Sequence, residues 1–341
     1  MKSLFPWQHD AWSALQGLRA RLPHAILIKG MQGVGKLQLA MRYSQSLLCQ
    51  SPDSVSMMPC DQCDSCRWFD QGTHPDFRLI QPDSLNKLND DNDKDPTKKL
   101  SNEIGVDQIR ALANFTNLSS HQGGYRVALI TPAESMNINA ANAVLKTLEE
   151  PADNLLFILV SHKPQQLLAT ILSRCISLAI APPSRDQGLA WLVEQGIKKP
   201  EESLAQSGYA PLLALDSLST EEDSDVRQIL LGGIRNPENL DSILLAEKFQ
   251  RSAPGLVVHH LQQWCYDLNS VKLAGEVRYF PDQLGALEKL IGRVPLLQLM
   301  RFQNELKTAK REALHPLNTR LQLESIFFSY KQMFDLKVSV A

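Results

Sequence analysis

A short glycine-rich motif constrains the fold of this 341-residue chain more than any other feature. Its defining residues are Gly30, Gly33, Gly35 and Lys36, in the pattern G-x-x-x-x-G-K. It follows a short apolar segment, His24–Lys29, and precedes a helical pattern at 36–49. In that context glycines let backbone N–H groups turn inward around phosphates, and the helix N-terminus adds a favourable field. The motif therefore predicts a phosphate loop between a buried parallel strand and a helix.

Further strand and helix patterns alternate through the first half of the chain. A helical pattern spans residues 104–118. Segments with strand character are Asp76–Ile80, Tyr125–Ile130, Leu155–Val160 and Ile176–Ile180. This alternation predicts a doubly wound α/β domain. From about residue 222 the pattern is helical, which predicts an all-α C-terminal third. The polar stretch 83–102 buries little apolar surface and is interpreted as a mobile, solvated insertion.

The residues that should bind Mg²⁺ beside such a loop are missing. A Ser or Thr hydroxyl normally follows the loop lysine, but Leu37 stands there. An active enzyme of this class ends its third strand with Asp and then Glu, whereas Thr131 and Pro132 follow this one. Glu134 lies two residues beyond Pro132, so its side chain would not start from the position of the usual glutamate. We expect no hydrolysis, and the loop either is only a tight packing turn or binds nucleotide weakly.

Four clustered cysteines indicate a metal site. They have the spacing C-x10-C-x2-C-x2-C and are Cys49, Cys60, Cys63 and Cys66. Four thiolates presented by C-x2-C turns suit tetrahedral Zn²⁺ in a closed, structural site. Free thiols or a redox pair are the alternative, and His74 is an outside candidate as a substitute ligand. Cys175 and Cys265 are isolated and are expected to be ordinary buried thiols.

Two charged features are ambiguous from the residues alone. A helical pattern at Asn142–Glu150 ends at Pro151 with Glu149 and Glu150 in its last turn, where the helix field disfavours negative charge. This arrangement either marks function or is offset by neighbouring charge and solvent. The short loop that contains Arg174 could project it toward the γ-phosphate of a neighbouring subunit. A surface arginine in a salt bridge is the ordinary alternative.

Composition narrows the class of protein. The formal net charge of −2 argues against binding nucleic acid mainly through overall positive charge. The longest strongly apolar run, Leu155–Val160, is too short to span a membrane. Residues 1–12 contain no apolar signal core, so a cytoplasmic location is expected.

Several motifs, in this order, resemble those of bacterial DNA polymerase III clamp-loader subunits, a branch of the AAA+ proteins. They are the phosphate loop, the four cysteines, Gly72–Phe77 (GTHPDF), Asn142–Pro151 (NAVLKTLEEP) and Ile171–Cys175 (ILSRC). The resemblance covers residues 23–180 densely, and the C-terminal third resembles the family only in being helical.

The resemblance implies three domains and a set of partners. The domains are a RecA-like AAA+ domain at 1–165 with a zinc module at 49–66, a helical lid at 166–216, and a helical collar at 217–341. The implied assembly is a hetero-pentamer with gamma/tau and delta subunits. It loads the beta sliding clamp onto primed DNA within a DNA-directed DNA polymerase holoenzyme.

Within that family the degraded ATP site resembles the delta-prime type of subunit. Leu37, Thr131 and Pro132 depart from the gamma/tau ATPase type, and the stretch Ser207–Leu212 lacks the arginine that senses γ-phosphate there. Arg174, flanked by Ser173 and Cys175, matches the position of the family's arginine finger, which acts in trans. An active gamma/tau-type ATPase with metal ligation through Glu134 is the alternative. A zinc-dependent nucleic-acid-binding module is a third hypothesis, disfavoured by the near-neutral charge.

Overall fold

The chain divides into two compact units, Met1–Gln187 and Gly188–Ala341. The structure, a computed structural model, describes residues 3–85, 100–117, 120–121, 124–217, 221–249, 252, 254–312 and 318–335. Most of the predicted insertion, residues 86–99, lies outside the described residues. Each unit is therefore considered by itself.

A five-stranded parallel sheet forms the centre of the first unit, in the order β2-β3-β4-β1-β5. The strands are β1 Ala25–Lys29, β2 Phe77–Ile80, β3 Arg126–Ile130, β4 Leu155–Ser161 and β5 Ile176–Ala179. The three central strands are almost entirely buried, as expected for apolar runs covered on both faces. Each predicted strand is present to within one residue at either end, and the predicted α/β P-loop fold class is confirmed.

Helices cover both faces of the sheet. They are α1 His9–Gly17, α2 Lys36–Leu48, α3 Asp64–Asp70, α4 Val106–Asn117, α5 Ile138–Glu149 and α6 Ala169–Leu172. Successive residues of a strand point to opposite faces. Ile26 and Ile28 accordingly pack with α1 and α2 residues in one core, while Ala25 and Leu27 pack with α4 and α5 residues in the other.

The parallel topology gives the sheet two chemically distinct edges. The phosphate loop, Thr131 and His162 follow β1, β3 and β4 respectively, so all three lie at the carboxyl edge. The loop containing Arg174 precedes β5 and therefore lies at the amino edge. Ligands of open α/β sheets bind at the carboxyl edge, so a ligand site of this unit is expected there.

Helices make up the second unit, and α7 Arg185–Glu194 spans the boundary with the first. The others are α8 Pro200–Gln206, α9 Pro211–Ser217, α10 Glu221–Ile234, α11 Ser242–Lys248, α12 Pro254–Ala274, α13 Leu284–Ile291, α14 Leu296–Glu312 and α15 Thr319–Asp335. In their core the Trp264 indole donates to the Tyr330 hydroxyl at 2.9 Å, which donates to the Ile234 carbonyl at 2.9 Å. The all-α character predicted for this region is confirmed.

The boundary between the units falls later than the domain limit expected from the sequence. A limit at residue 165 would separate β5 from the sheet, whereas Ile176–Ala179 pairs with β1. The first unit therefore extends to Gln187, and the division of the remainder into lid and collar stays a prediction. None of the described helices is both long enough and apolar enough to cross a membrane.

Candidate functional site

The phosphate loop has the backbone geometry that its glycines predict. Gly33 and Gly35 have φ values of 79° and 81°, in the left-handed region that favours glycine. A Cβ atom at Gly35 would lie 2.6 Å from Gln8 Nε2, and one at Gly30 would lie 2.7 Å from the Ile180 carbonyl oxygen. These contacts show that the loop is closely packed on its outer side as well as sharply turned.

An N-terminal turn fastens the outer side of the loop. The Trp7 indole donates to the Val34 carbonyl at 3.0 Å, and the Gln8 amide donates to the Gly35 carbonyl at 2.8 Å. Gln8 is only 1% exposed. Trp7 and Gln8 were not singled out from the sequence, because nothing in their spacing relates them to a loop some 26 residues further on.

Lys36 is engaged by the loop itself. Its ammonium donates to the Met31 carbonyl at 2.5 Å, and the residue is 2% exposed. Burial lowers the pKa of Lys36 from 10.5 to about 8, and the nearby Glu134 carboxylate opposes that shift. The lysine that would reach a terminal phosphate is thus a buried internal donor.

The residues at the positions expected for magnesium ligands make packing contacts or hydrogen bonds within the chain. Leu37 packs against the apolar core on its face of the sheet. The backbone N–H of Thr131 donates to the Ile80 carbonyl at 2.9 Å, and the residue is buried. Glu134 accepts a hydrogen bond from the His162 backbone N–H at 2.9 Å through one carboxylate oxygen. Glu134 therefore secures the end of β4.

His162 completes this polar group at the carboxyl edge and was missed from the sequence. Burial lowers its pKa, and the positive charge of Lys36 lowers it further. Its position directly after the buried strand β4 was the available signal, since such positions line the carboxyl edge of a parallel sheet.

The four predicted zinc ligands converge in space. The Sγ atoms of the four cysteines all lie within 4.8 Å of one another. Cys49 Sγ is 3.5 Å from Cys60 Sγ and 3.9 Å from Cys63 Sγ, and Cys60 Sγ is 4.0 Å from Cys66 Sγ. Tetrahedral Zn–S bonds of about 2.3 Å place sulfur atoms about 3.8 Å apart, so the cluster fits a zinc ion. The four thiolates would hold it in a closed, structural site.

Backbone donors surround the sulfur atoms. The N–H groups of Cys60, Cys63 and Cys66 point to Cys49, Cys60 and Cys63 Sγ at 3.3, 3.3 and 3.5 Å. Backbone hydrogen bonds from Gln62 and Cys63 lower the pKa of the Cys60 thiol to about 6, whereas burial raises the pKa of Cys49 and Cys66. A bound cation would offset the cost of ionising the buried pair.

His74 is not one of the ligands, which corrects its outside candidacy. Its Nδ1 accepts from the Asp76 backbone N–H at 3.0 Å, and its Nε2 lies 2.8 Å from Ser65 Oγ. Because Nδ1 accepts, Nε2 carries the proton and donates to Ser65, whose hydroxyl donates to the Leu48 carbonyl at 2.6 Å. His74 thus braces the module from outside the cysteine cluster.

The zinc module and the phosphate loop share helix α2. The loop opens that helix at Lys36, and Cys49 is its C-cap residue. Arg42 on α2 makes a two-point contact with Asp61, between the second and third cysteines, in which Nη2 and Oδ2 are 2.8 Å apart. The two motifs are therefore connected through one helix.

Arg174 lies apart from both motifs, with partners on α5 and α6. Its Nη2 is 2.7 Å from Glu149 Oε1, and its Nη1 donates to the Thr170 carbonyl at 3.0 Å. Ser173 Oγ donates to the same carbonyl at 3.0 Å. Cys175 is partly buried, and burial raises its pKa to about 11, as expected of an ordinary thiol. Cys265 is fully buried.

Comparison with known proteins gives one consistent family. The family model described as "DNA polymerase III, delta subunit" matches residues 8–184, just over half of the 341-residue chain. The chain is 40% identical over 218 residues to DNA polymerase III subunit delta' of Pseudomonas aeruginosa, covering 63% of this chain and 61% of that protein.

Two further relatives carry the same name. Subunit delta' of Yersinia pestis is 29% identical over 330 residues, covering 94% of this chain and 92% of that protein. Subunit delta' of Escherichia coli is 34% identical over 190 residues, covering 55% of this chain and 52% of that protein. The match thus spans less than two thirds of two of these three relatives and nearly all of the third.

Proposed function

This chain belongs to the family of DNA polymerase III delta-prime clamp-loader subunits, and from that premise we propose that it is a non-hydrolysing subunit that supplies Arg174 to a neighbouring ATP site. The proposed assembly loads the beta sliding clamp onto primed DNA. The observation that carries the proposal is the placement of Arg174 at the sheet edge opposite its own degraded phosphate loop.

That placement follows from the strand register. β5 runs parallel to β1, with Ile176 opposite Ile26 and Ala179 opposite Lys29. Arg174 precedes the first of these pairs, and the phosphate loop follows the last. Three residue steps along a strand separate the two ends by about 10 Å, before the loops are added. Arg174 is therefore poorly placed to contact a phosphate bound at this chain's own loop, which supports a role at the ATP site of another subunit.

The absence of hydrolysis rests on the carboxyl edge of the sheet. Leu37 offers no oxygen to a metal ion and is partly buried against the core, while Thr131 is buried after β3. Phosphoryl transfer relies on a positioned Mg²⁺ and a group that orients the nucleophile. Lys36 and the outer side of the loop are already engaged within the chain, which supports a packing role for the loop over nucleotide binding.

Glu134 is the residue through which the alternative, an active ATPase, would operate. One of its oxygens accepts from the His162 backbone N–H, whereas the other is buried and has no hydrogen-bond partner among the described residues. Glu134 could therefore offer a metal ion one oxygen, with no hydroxyl at Leu37 to complete the usual ligand set. We therefore favour the non-hydrolysing assignment, and hydrolysis by the isolated chain would favour the alternative.

The proposed partners are gamma/tau and delta subunits, in a hetero-pentamer within the polymerase holoenzyme, located in the cytoplasm. Support comes from family membership and from the last two helices of the second unit. A groove of about 1020 Å³ between α14 and α15 is lined by residues that include Asn304, Leu321 and Ile326. Leu321 on α15, which lines this groove, is 61% exposed. Apolar side chains beside a groove suit packing against another helical domain.

The test is a reconstituted clamp loader that contains the Arg174→Ala variant. The quantity measured is chain-dependent turnover, defined as DNA-stimulated ATP hydrolysis by gamma/tau and delta with this chain minus hydrolysis without it. We expect Arg174→Ala to assemble normally and to lower chain-dependent turnover at least about tenfold, since an arginine finger contributes roughly 10³–10⁵ in rate at the site it serves.

Arg67→Ala is the matched control. Arg67 is another exposed arginine of the first unit, in a weak pair with Asp64 at 3.5 Å. It should leave chain-dependent turnover unchanged. Wild-type turnover by the Arg174→Ala assembly would overturn the finger assignment.

A further inference from the structure

We propose that Glu149 is a positioning residue for Arg174: its carboxylate holds the guanidinium in the orientation from which it meets a phosphate of the neighbouring subunit. This inference rests on the proposed finger role of Arg174. It explains a feature that the sequence left ambiguous, a carboxylate at the unfavourable end of helix α5.

The geometry fixes the guanidinium at both of its terminal nitrogens. Nη2 contacts Glu149 Oε1 at 2.7 Å, and Nη1 donates to the Thr170 carbonyl at 3.0 Å. The two partners belong to different helices, α5 and α6, so the arginine is held from two directions. A guanidinium has more N–H donors than these two contacts use, which leaves donors for a phosphate oxygen.

The Arg174–Glu149 ion pair has defined geometry but remains partly exposed to solvent. The Arg174 side chain is 33% exposed and that of Glu149 is 51% exposed. A partly hydrated carboxylate neutralises a guanidinium only weakly, so an incoming phosphate can still attract it. Ordering a long, flexible side chain before the encounter removes part of the entropy cost of reaching the transition-state geometry.

The position of Glu149 in its helix makes an incidental surface pair a poor explanation. Negative charge is destabilising at a helix C-terminus, and α5 ends at Glu149 with a second glutamate, Glu150, as its C-cap residue. Lys146 is the basic residue of that last turn. The charge of Arg174 offsets the cost at Glu149, and in exchange the helix end provides a rigid base for the arginine.

Glu150 offers a matched control on the same helix end. It is exposed and is the C-cap residue, and its backbone N–H donates to the Lys146 carbonyl at 3.3 Å. Glu149→Gln and Glu150→Gln remove the same charge from adjacent positions with the same change of shape. A general effect of charge at the helix end would appear in both variants, and a specific effect on Arg174 only in the first.

The experiment measures chain-dependent turnover for Glu149→Gln, Glu150→Gln, Arg174→Ala and the double variant Glu149→Gln/Arg174→Ala in the assembled complex. We expect Glu149→Gln to lower kcat roughly two- to fivefold with an unchanged KM for ATP, the factor that corresponds to the coupling of a partly exposed ion pair. Glu150→Gln should match the wild type. The double variant should match Arg174→Ala, because Glu149 acts only through the arginine.

The outcomes distinguish the positioning role of Glu149 from the finger role of Arg174 on which it rests. Slow turnover of Arg174→Ala together with wild-type turnover of Glu149→Gln would overturn the role of Glu149 and leave the finger intact. Equal losses in both glutamine variants, or an additive loss in the double variant, would also overturn it. An unaffected Arg174→Ala assembly would instead overturn the finger, and the role of Glu149 with it. Thermal unfolding of each isolated variant should show a folded protein with only a small change in stability, because the pair is partly exposed.

Discussion

At the scale of single residues, the same side chain can have a different task from the one that its motif suggests. Lys36 occupies the position of a phosphate-binding lysine, yet its ammonium is buried and donates to the carbonyl of Met31. Leu37 fills the place of a metal-binding hydroxyl with an apolar group that is partly buried against the core. The motif has kept its backbone geometry while its side chains serve packing.

The burial of Lys36 predicts a pH dependence of stability. Its pKa is about 8 in the folded chain and rises to its ordinary 10.5 on unfolding. At pH values between about 8 and 10.5 the unfolded chain binds more protons at this lysine than the folded chain does. The free energy of unfolding therefore increases as the pH rises. We expect the wild type to gain stability relative to Lys36→Met as pH increases from about 8 to about 10.5.

Denaturant titrations of both proteins at several pH values measure this difference. Other titrating groups, including the cysteines, are shared by the two proteins and cancel in the comparison. Curves that stay parallel across the alkaline range would show that the pKa of Lys36 is not depressed.

At the scale of elements, helix α2 connects two motifs that the sequence presents separately. It begins with the phosphate loop and ends at the first cysteine, and the Arg42–Asp61 contact ties it to the turn between later cysteines. Loss of the metal should therefore disturb α2 as well as the short α3. The zinc module is part of the packing on this face of the sheet.

The element-scale prediction concerns Cys63→Ser. We expect wild-type protein to co-purify with one zinc ion per chain and Cys63→Ser to lose it, with a clear loss of stability, because structural zinc supplies about 10–16 kcal/mol in small modules. Metal analysis and thermal unfolding provide the measurements. Cys175→Ala, which removes a thiol outside the cluster, should retain the zinc. Metal-free wild-type protein of full stability would contradict the assignment.

At the scale of the whole molecule, activity is expected to belong to the assembly. The chain places Arg174 at one edge of the sheet and the phosphate loop at the other, and no hydroxyl follows Lys36 in that loop. The purified chain should therefore show no DNA-stimulated ATP hydrolysis, and mixing it with gamma/tau and delta should raise their turnover. Steady hydrolysis by the isolated chain at the level of the gamma subunit would reverse this conclusion.

Amino-acid order by itself determined most of the first unit. Short strand-like segments bounded by turns located all five strands. The signal was clearest for β1, β3 and β4, because buried parallel strands need continuous apolar segments, whereas the outer strands β2 and β5 are partly exposed. Two overlapping C-x2-C steps, with Cys49 upstream, identified the four residues that converge, because a turn of that length brings its two thiolates to one point. Leu37 and Thr131 predict a missing magnesium site, since Leu37 has no hydroxyl after the loop lysine and Thr131 has no carboxylate after the third strand.

Only the tertiary structure decided which distant residues meet. The contacts of Gln8 with Gly35, Glu134 with the end of β4, and Glu149 with Arg174 join segments whose sequence separation carries no periodic signal. Strand order, which the sequence does not encode locally, made β1 and β5 neighbours, and their parallel direction set the loop and Arg174 at opposite edges of the sheet. Local patterns follow from the short-range geometry of helices, strands and turns, whereas these pairings depend on how the completed sheet brings its connecting segments together.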